Sequence, residues 1–217
     1  SGLFSLAARR LGAEVFSFDF DPQSVACTAA LRQRYQVDDP HWVSGRGSVL
    51  DGEYLAALGQ WDVVYSWGVL HHTGAMWEAL ERLHPLVADN GLLILGIYND
   101  QGRSSQRWLR IKRLYNRLPA ALRWLVIIPT FIRLWGPTLV RDLLGGRPLQ
   151  SWTHYADESI RGMSPWHDFI DWIGGLPFEV AKPEELLEFF TARGFELTKL
   201  RTCAGGIGCN EFVFRRN

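Results

Sequence analysis

The sequence predicts an α/β fold, a largely parallel sheet that ends in a C-terminal antiparallel hairpin and carries a helical insertion late in the chain. Three observations predict it. From Glu14 to Tyr98, short apolar runs alternate with amphipathic stretches, the rhythm of strands and crossover helices in a parallel sheet. Between about Gln101 and Phe178 that rhythm stops, and a helical, tryptophan-rich segment takes its place. Beyond it, Phe195–Arg201 and Asn210–Phe214 flank the glycine-rich Ala204–Gly208, the pattern of two strands joined in a hairpin.

The elements follow in order. Leu3, Leu6, Ala7 and Leu11 share one face of a first helix, which Gly12 ends. Glu14–Phe20 is a strand finishing in Asp19 and Asp21. Pro22 then opens a helix that runs to Arg34. Trp42–Ser44 and Ser48–Leu50 are weaker strand candidates around a glycine turn. Tyr54–Leu58 reads as a short helix, Asp62–Tyr65 as a buried strand and Met76–Leu83 as an amphipathic helix. Asp89-Asn90-Gly91 is a turn signal before the strongly apolar strand Leu92–Tyr98. Residues 101–178 are too long for a simple loop and read as an insertion packed over the ligand side. Pro183–Arg193 is the last helix before the hairpin.

Glycine, helix, strand, acid is the order of a Rossmann-type half-domain, which sets a helix N-terminus and a carboxylate beside a ribose. Ser1-Gly2, Glu14–Pro22, Gly47–Asp51, Trp61–Gly74 and Pro85–Asp100 occur here in an order and at separations that resemble the class I S-adenosylmethionine-dependent methyltransferases. The likeness leans toward the branch acting on small molecules such as quinones and lipids, through the turn Gly68–His72. It implies S-adenosylmethionine as cofactor and a Rossmann-like methyltransferase sheet whose first strand is missing, because Ser1-Gly2 match the end of the first glycine motif. The strand Leu92–Tyr98 is then the fifth, and the insertion follows it. The implied organisation is a partial cofactor-binding core at 1–100, an aromatic-rich helical cap at 101–178, and the rest of the core sheet at 179–217. Without a first strand, Glu14–Asp19 and Asp62–Tyr65 should pair directly or leave a gap.

The resemblance also assigns roles. Gly2 faces the amino-acid part of the cofactor, where a Cβ would clash. Asp19 accepts the ribose hydroxyls, with Asp21 as the alternative, and Phe20 packs on the adenine edge or is ordinary core. Ser48 stands where the family often has an acid, so its part passes to Ser48 or to Asp51, and Val49 offers a backbone N–H to adenine. Ser66 and Trp67, leaving the fourth strand beside Gly68, hold the methionine part. Methyl transfer from a sulfonium is an in-line displacement, and a base is needed only if the nucleophile must lose a proton. His71, His72 and Asp100 are the candidates near the transferred methyl, each histidine acting as base, as orienting donor, or as a structural residue. Asn99, His154, Tyr155, Trp166 and His167 are candidates for the acceptor pocket, with a self-contained helical cap as the alternative.

Composition narrows the classes. Hydrophobic residues are 47% of 217 and charged residues 21%, enough for one well-filled domain. Cys27, Cys203 and Cys209 form neither a metal spacing nor an even disulfide framework, which points to reduced thiols and a cytoplasmic protein. No metal is expected, because the six histidines are scattered. The longest apolar stretch, Trp124–Ile132, is too short to span a bilayer. The net charge of zero hides an asymmetry: residues 101–150 hold ten Lys or Arg against the single acid Asp142, a window of +9. That window predicts a peripheral membrane contact, with a solvated helix face as the alternative. The resemblance implies an acceptor that is small or lipid-like, and a nucleic acid is not expected. Two other classes stand beside this one: a nicotinamide-dependent oxidoreductase, and a non-catalytic RNA-binding module on a methyltransferase scaffold.

Overall fold

A computed structural model of the protein describes residues 2–35, 39–158 and 164–217. Ser1 of the glycine pair and residues 159–163 of the insertion lie outside them.

The N-terminal unit comprises α1 (Leu3–Arg10), β1 (Val15–Asp19), α2 (Pro22–Tyr35) and β2 (Trp42–Arg46). β1 and β2 pair in parallel from Val15↔Trp42 to Asp19↔Arg46. Asp21 caps α2: its carboxylate accepts from the backbone N–H groups of Gln23 and Ser24 and from the Ser24 hydroxyl, at 3.1–3.2 Å. α3 (Gly52–Ala57) starts on Asp51, whose carboxylate accepts from Tyr54 N at 3.1 Å. Between β2 and α3, residues Ser48–Leu50 form a turn and not the expected strand. The Ser48 hydroxyl accepts from Leu50 N and its carbonyl from Asp51 N, each at 3.1 Å, and this local bonding displaces ladder bonds.

The larger sheet has the order β3-β4-β6-β5, with β3 (Trp61–Trp67), β4 (Val87–Tyr98), β5 (Phe195–Arg201) and β6 (Cys209–Arg216). β3 and β4 are parallel, whereas β6 runs antiparallel to both β4 and β5, so the hairpin slots its second strand beside β4. The Asp89-Asn90-Gly91 turn does not precede this strand but lies inside it. Two steps along β3, Trp61 to Val63, face five along β4, Val87 to Leu92, and Asn90 takes φ +62° in the irregularity. β1 and β3 belong to separate sheets with no pairing between them.

α4 (Met76–Leu83) covers this sheet with Met76, Ala79, Leu80 and Leu83, one helical face. The Glu179 carboxylate accepts from Met76 N at 3.0 Å, placing negative charge at the positive end of α4. Leu93, Leu95, Ile97, Phe212 and Phe214 fill the core with Leu186 and Phe190 of α10 (Pro183–Thr191).

Residues 101–178 contain no strand among the described residues. They form α5 (Arg103–Arg117), α6 (Trp124–Leu144), the single turns α7 (Gln150–Thr153) and α8 (Tyr155–Glu158), and α9 (Pro165–Gly174). A second apolar cluster holds them together, built on Trp108, Tyr115, Val126, Phe169 and Ile173.

Candidate active site

Gly2 precedes α1 at φ +74°, and a Cβ there would lie 3.0 Å from the Thr28 methyl. A left-handed backbone pressed onto α2 leaves room for glycine alone. Asp19 ends β1 with its side chain exposed, and its Oδ1 accepts from Asp21 N at 2.9 Å. Asp21 is engaged in capping α2, and its bond from Gln23 N holds its carboxyl below the ordinary value. Phe20 is 70% exposed beside the Arg46 guanidinium, so ordinary core burial does not describe it. Ser48 and Asp51 are tied to their own turns, while Val49 packs half-buried on the core.

Ser66 is buried where β3 pairs with β4, opposite Leu95. Trp67 turns its indole over Gly96, where an added Cβ would come within 2.5 Å of the ring. Gly68 follows at φ +75° with open space beside it at the strand end, a left-handed position that favours glycine.

The next turn (Leu70–His72) buries His71 completely. Its ring stacks on Tyr98 at 3.7 Å, and Nδ1 accepts from Tyr98 N at 3.3 Å. A backbone N–H is only a donor, so the proton of the neutral ring sits on Nε2, which has no hydrogen-bond partner. Burial, then the neighbouring His72 and Lys112, hold the pKa of His71 at about 3. His72 is the complement. Its Nδ1 lies 2.7 Å from Pro177 O, an acceptor only, so Nδ1 carries the proton and Nε2 is the basic nitrogen.

Tyr98 links this pair to the insertion, packing edge-on to Trp172 at 5.6 Å and beside Phe178 at 5.5 Å. Under those rings lies Lys112, one of the ten basic residues counted in the 101–150 window, which the structure buries to 1% exposure. Its Nζ donates to Trp172 O and sits 4.6 Å from the Trp172 ring and 4.9 Å from that of Phe178. Burial lowers its pKa to about 8. The signal was present: Trp108, Lys112 and Tyr115 are spaced four and three apart, on the inward face of α5.

Asn99 and Asp100 follow Tyr98 at the end of β4. Asn99 Oδ1 accepts from Asn210 Nδ2 at 3.0 Å, and Asp100 Oδ1 accepts from Gly102 N at 2.8 Å ahead of α5. Tyr98, Asn99, Trp108, Trp172 and Phe178 line a narrow crevice. Phe178 also borders a shallow depression of about 420 Å³ with Gly74, Leu109, Arg113 and Pro177. Four expected pocket residues are not brought here. His154 bonds Gln150 O, Tyr155 Oη donates to Asp168, His167 meets Ser164 Oγ, and Trp166 is 45% exposed against Phe169. α9 carries Trp166 at its start and Trp172 six residues on, about 9 Å along the axis, so only Trp172 reaches Tyr98. Among the described residues no group of three or more His, Cys, Asp or Glu side chains could hold a metal ion.

Residues 1–93 match the family model described as "Methyltransferase domain". Among solved structures, the methyltransferase fold here is similar to magnesium protoporphyrin IX methyltransferase (ChlM) from Synechocystis PCC 6803 with bound SAH. The TM-score is 0.53 at 14% identity, over 100% of this chain and 71% of that one. TehB from Haemophilus influenzae gives 0.52 at 10% identity, over 98% of this chain and 53% of that one. The [4+2]-cyclase SpnF gives 0.55 at 10%, over 98% and 69%. At such identities the likeness shows the fold alone, and a cyclase among the similar structures is a reminder that one fold hosts several reactions. No curated protein matches the sequence.

Proposed function

We propose that the protein transfers a methyl group from S-adenosylmethionine to an oxygen or carbon of a small or lipid-like acceptor. The observation that carries this reading is the match of residues 1–93 to the methyltransferase-domain family, with Gly2, Asp19 and the Ser66–Gly68 turn at a helix start and at strand ends within it. When bound, the cofactor supplies an activated methyl on a sulfonium. Asp19 would hold its ribose hydroxyls, Phe20 would lie on the adenine, and the backbone at Gly2 and Ser66–Gly68 would take the amino-acid part.

The remaining work falls to the turn after β3 and to the insertion. His71 cannot take up a proton near neutrality, because its Nδ1 is engaged and its pKa is about 3. It is suited to donating through Nε2. Trp172 Nε1 is likewise buried without a hydrogen-bond partner, and Lys112 adds a third donor beside it. Trp172 lines the aromatic crevice and His71 and Lys112 lie buried behind it, and donors so placed favour an acceptor that presents an oxygen atom. His72, with Nε2 as its basic nitrogen, is the group to remove a proton where the nucleophile has one to lose. The depression beside Phe178 is the path by which an apolar acceptor approaches, and closing it excludes water.

Calorimetry with S-adenosylmethionine and with NAD tests the reading. Binding of the first and not the second is expected, and binding of NAD alone would replace methyl transfer with hydride transfer. Mass spectrometry of metabolites that copurify with the protein then identifies the acceptor class.

A further inference from the structure

One face of α6 is apolar and uncovered. Leu125, Ile128, Ile132, Val140, Leu143 and Leu144 are between 48% and 83% exposed. Their spacing keeps them on one side of a helix of 21 residues, about 30 Å long. The other side holds the helix to the protein through Val126, Thr130, Phe131 and Leu134. The charged residues of α6 are Arg133, Arg141 and Asp142. The acid is buried, where its carboxylate accepts from Ser151 N and Ser151 Oγ at 2.8 Å, so α6 presents only positive charge.

α5 packs beside α6 and presents Arg103, Arg107, Arg110, Arg113 and Arg117 to solvent. Exposed apolar surface and arginines therefore adjoin on the same insertion. A second copy of the chain is a poor cover for this face. A symmetric contact would bring the same arginines together in a window whose one acid is buried. A nucleic acid would satisfy the arginines and leave the apolar stripe wet. A bilayer with anionic headgroups takes both, the stripe at the headgroup–acyl boundary and the arginines against phosphates. No helix among the described residues is long and apolar enough to cross a membrane, so the contact lies in the plane.

We propose that α6 lies flat on an anionic membrane surface, with its Leu125–Leu144 face among the lipids and the α5 arginines against the headgroups. The proposal goes beyond methyl transfer, and its test reads binding rather than turnover, so the two stand or fall separately. The probe is co-sedimentation with vesicles of phosphatidylcholine, alone or mixed with phosphatidylglycerol, at low and high salt. Binding to the mixed vesicles is expected, weaker by about tenfold or more on phosphatidylcholine alone and weakened by salt. Ile128→Glu/Ile132→Glu changes two exposed side chains, so its unfolding temperature should match the parent while its vesicle binding falls by about tenfold or more. Arg107→Glu/Arg110→Glu should weaken binding only to the anionic vesicles, by about fivefold or more per arginine. Failure to bind anionic vesicles at low salt overturns the proposal. So does equal binding to both lipids, or unchanged binding by the apolar variant. A dimer in solution that Ile128→Glu/Ile132→Glu dissolves would assign the face to a second copy instead.

Discussion

Acidifying the solution from about pH 8 to about pH 5 should destabilise the protein by about 2 kcal/mol through His71. The unfolded ring titrates near 6.5, whereas burial holds the folded one at about 3. Between those values the unfolded state binds the extra proton, so stability is full above about 6.5 and falls as pH falls through the window. Each pH unit is worth about 1.4 kcal/mol, and about 1.5 units separate 6.5 from pH 5. Urea unfolding at a series of pH values measures the loss, with His71→Asn as the reference. The asparagine amide oxygen can accept from Tyr98 N as Nδ1 does and does not titrate, so contributions from every other group cancel in the difference. The parent should lose about 2 kcal/mol more than the variant over this range, even though the variant starts less stable for want of the ring stack on Tyr98. Two parallel series would show that His71 is not held neutral by burial, and the donor role for its Nε2 would go with it.

The mirror experiment uses Lys112, whose pKa is lowered from 10.5 to about 8. The cost of burying its ammonium is relieved as pH rises through that window, so the parent should gain about 2 kcal/mol relative to Lys112→Met by about pH 9.5, and an absent gain would mean the amine is hydrated. Asp19→Ala should weaken S-adenosylmethionine binding by about 1.5–3 kcal/mol. Asp21→Ala should instead cost about 1 kcal/mol of stability as a lost helix cap, and calorimetry giving the reverse order would move the ribose site to Asp21. Gly47→Ala would set a Cβ 2.2 Å from the Tyr54 ring, and a loss of about 1–3 kcal/mol is expected in thermal unfolding, with none refuting the tight contact.

Strands and helices of the core were legible because their apolar spacing matches their period: Met76–Leu83 and Phe195–Arg201 were read with the bounds the structure shows. Errors fell where local bonding outweighs pattern. Ser48 turns the chain with its own hydroxyl, and a turn tripeptide was absorbed into β4 as an irregularity. At the strand ends the sequence leaves Asp19 and Asp21 as alternatives, and the structure separates them by engaging Asp21 in the cap on α2. The site was not legible in the insertion. Charge counting hid Lys112, and the pocket expectation took Trp166 where the structure brings Trp172, from the same helix, to Tyr98. Nor could the orientation of α6 be read, since a segment apolar on both sides carries no periodic signal.

Because no backbone hydrogen bond joins β1 to β3 among the described residues, the two sheets are fastened by side chains: Phe16 of β1 on Trp61 of β3 directly, and through the helices Phe4 of α1 on Tyr65 of β3 and Phe18 of β1 on Tyr54 of α3. Ring contacts of this kind loosen one at a time, whereas a hydrogen-bonded ladder opens together. The molecule should therefore breathe along that seam. Amide protons of β1 and β2 should exchange with solvent sooner than those of β4 and β6, which are locked by seven consecutive pairs from Leu92↔Arg215 to Tyr98↔Cys209. Asp19, proposed to hold the ribose, sits on the side that opens, while His71, His72 and Tyr98 sit on or beside the side that stays closed. A ligand spanning the seam would tie the two halves together, and slowed exchange in β1 on adding S-adenosylmethionine would report its arrival.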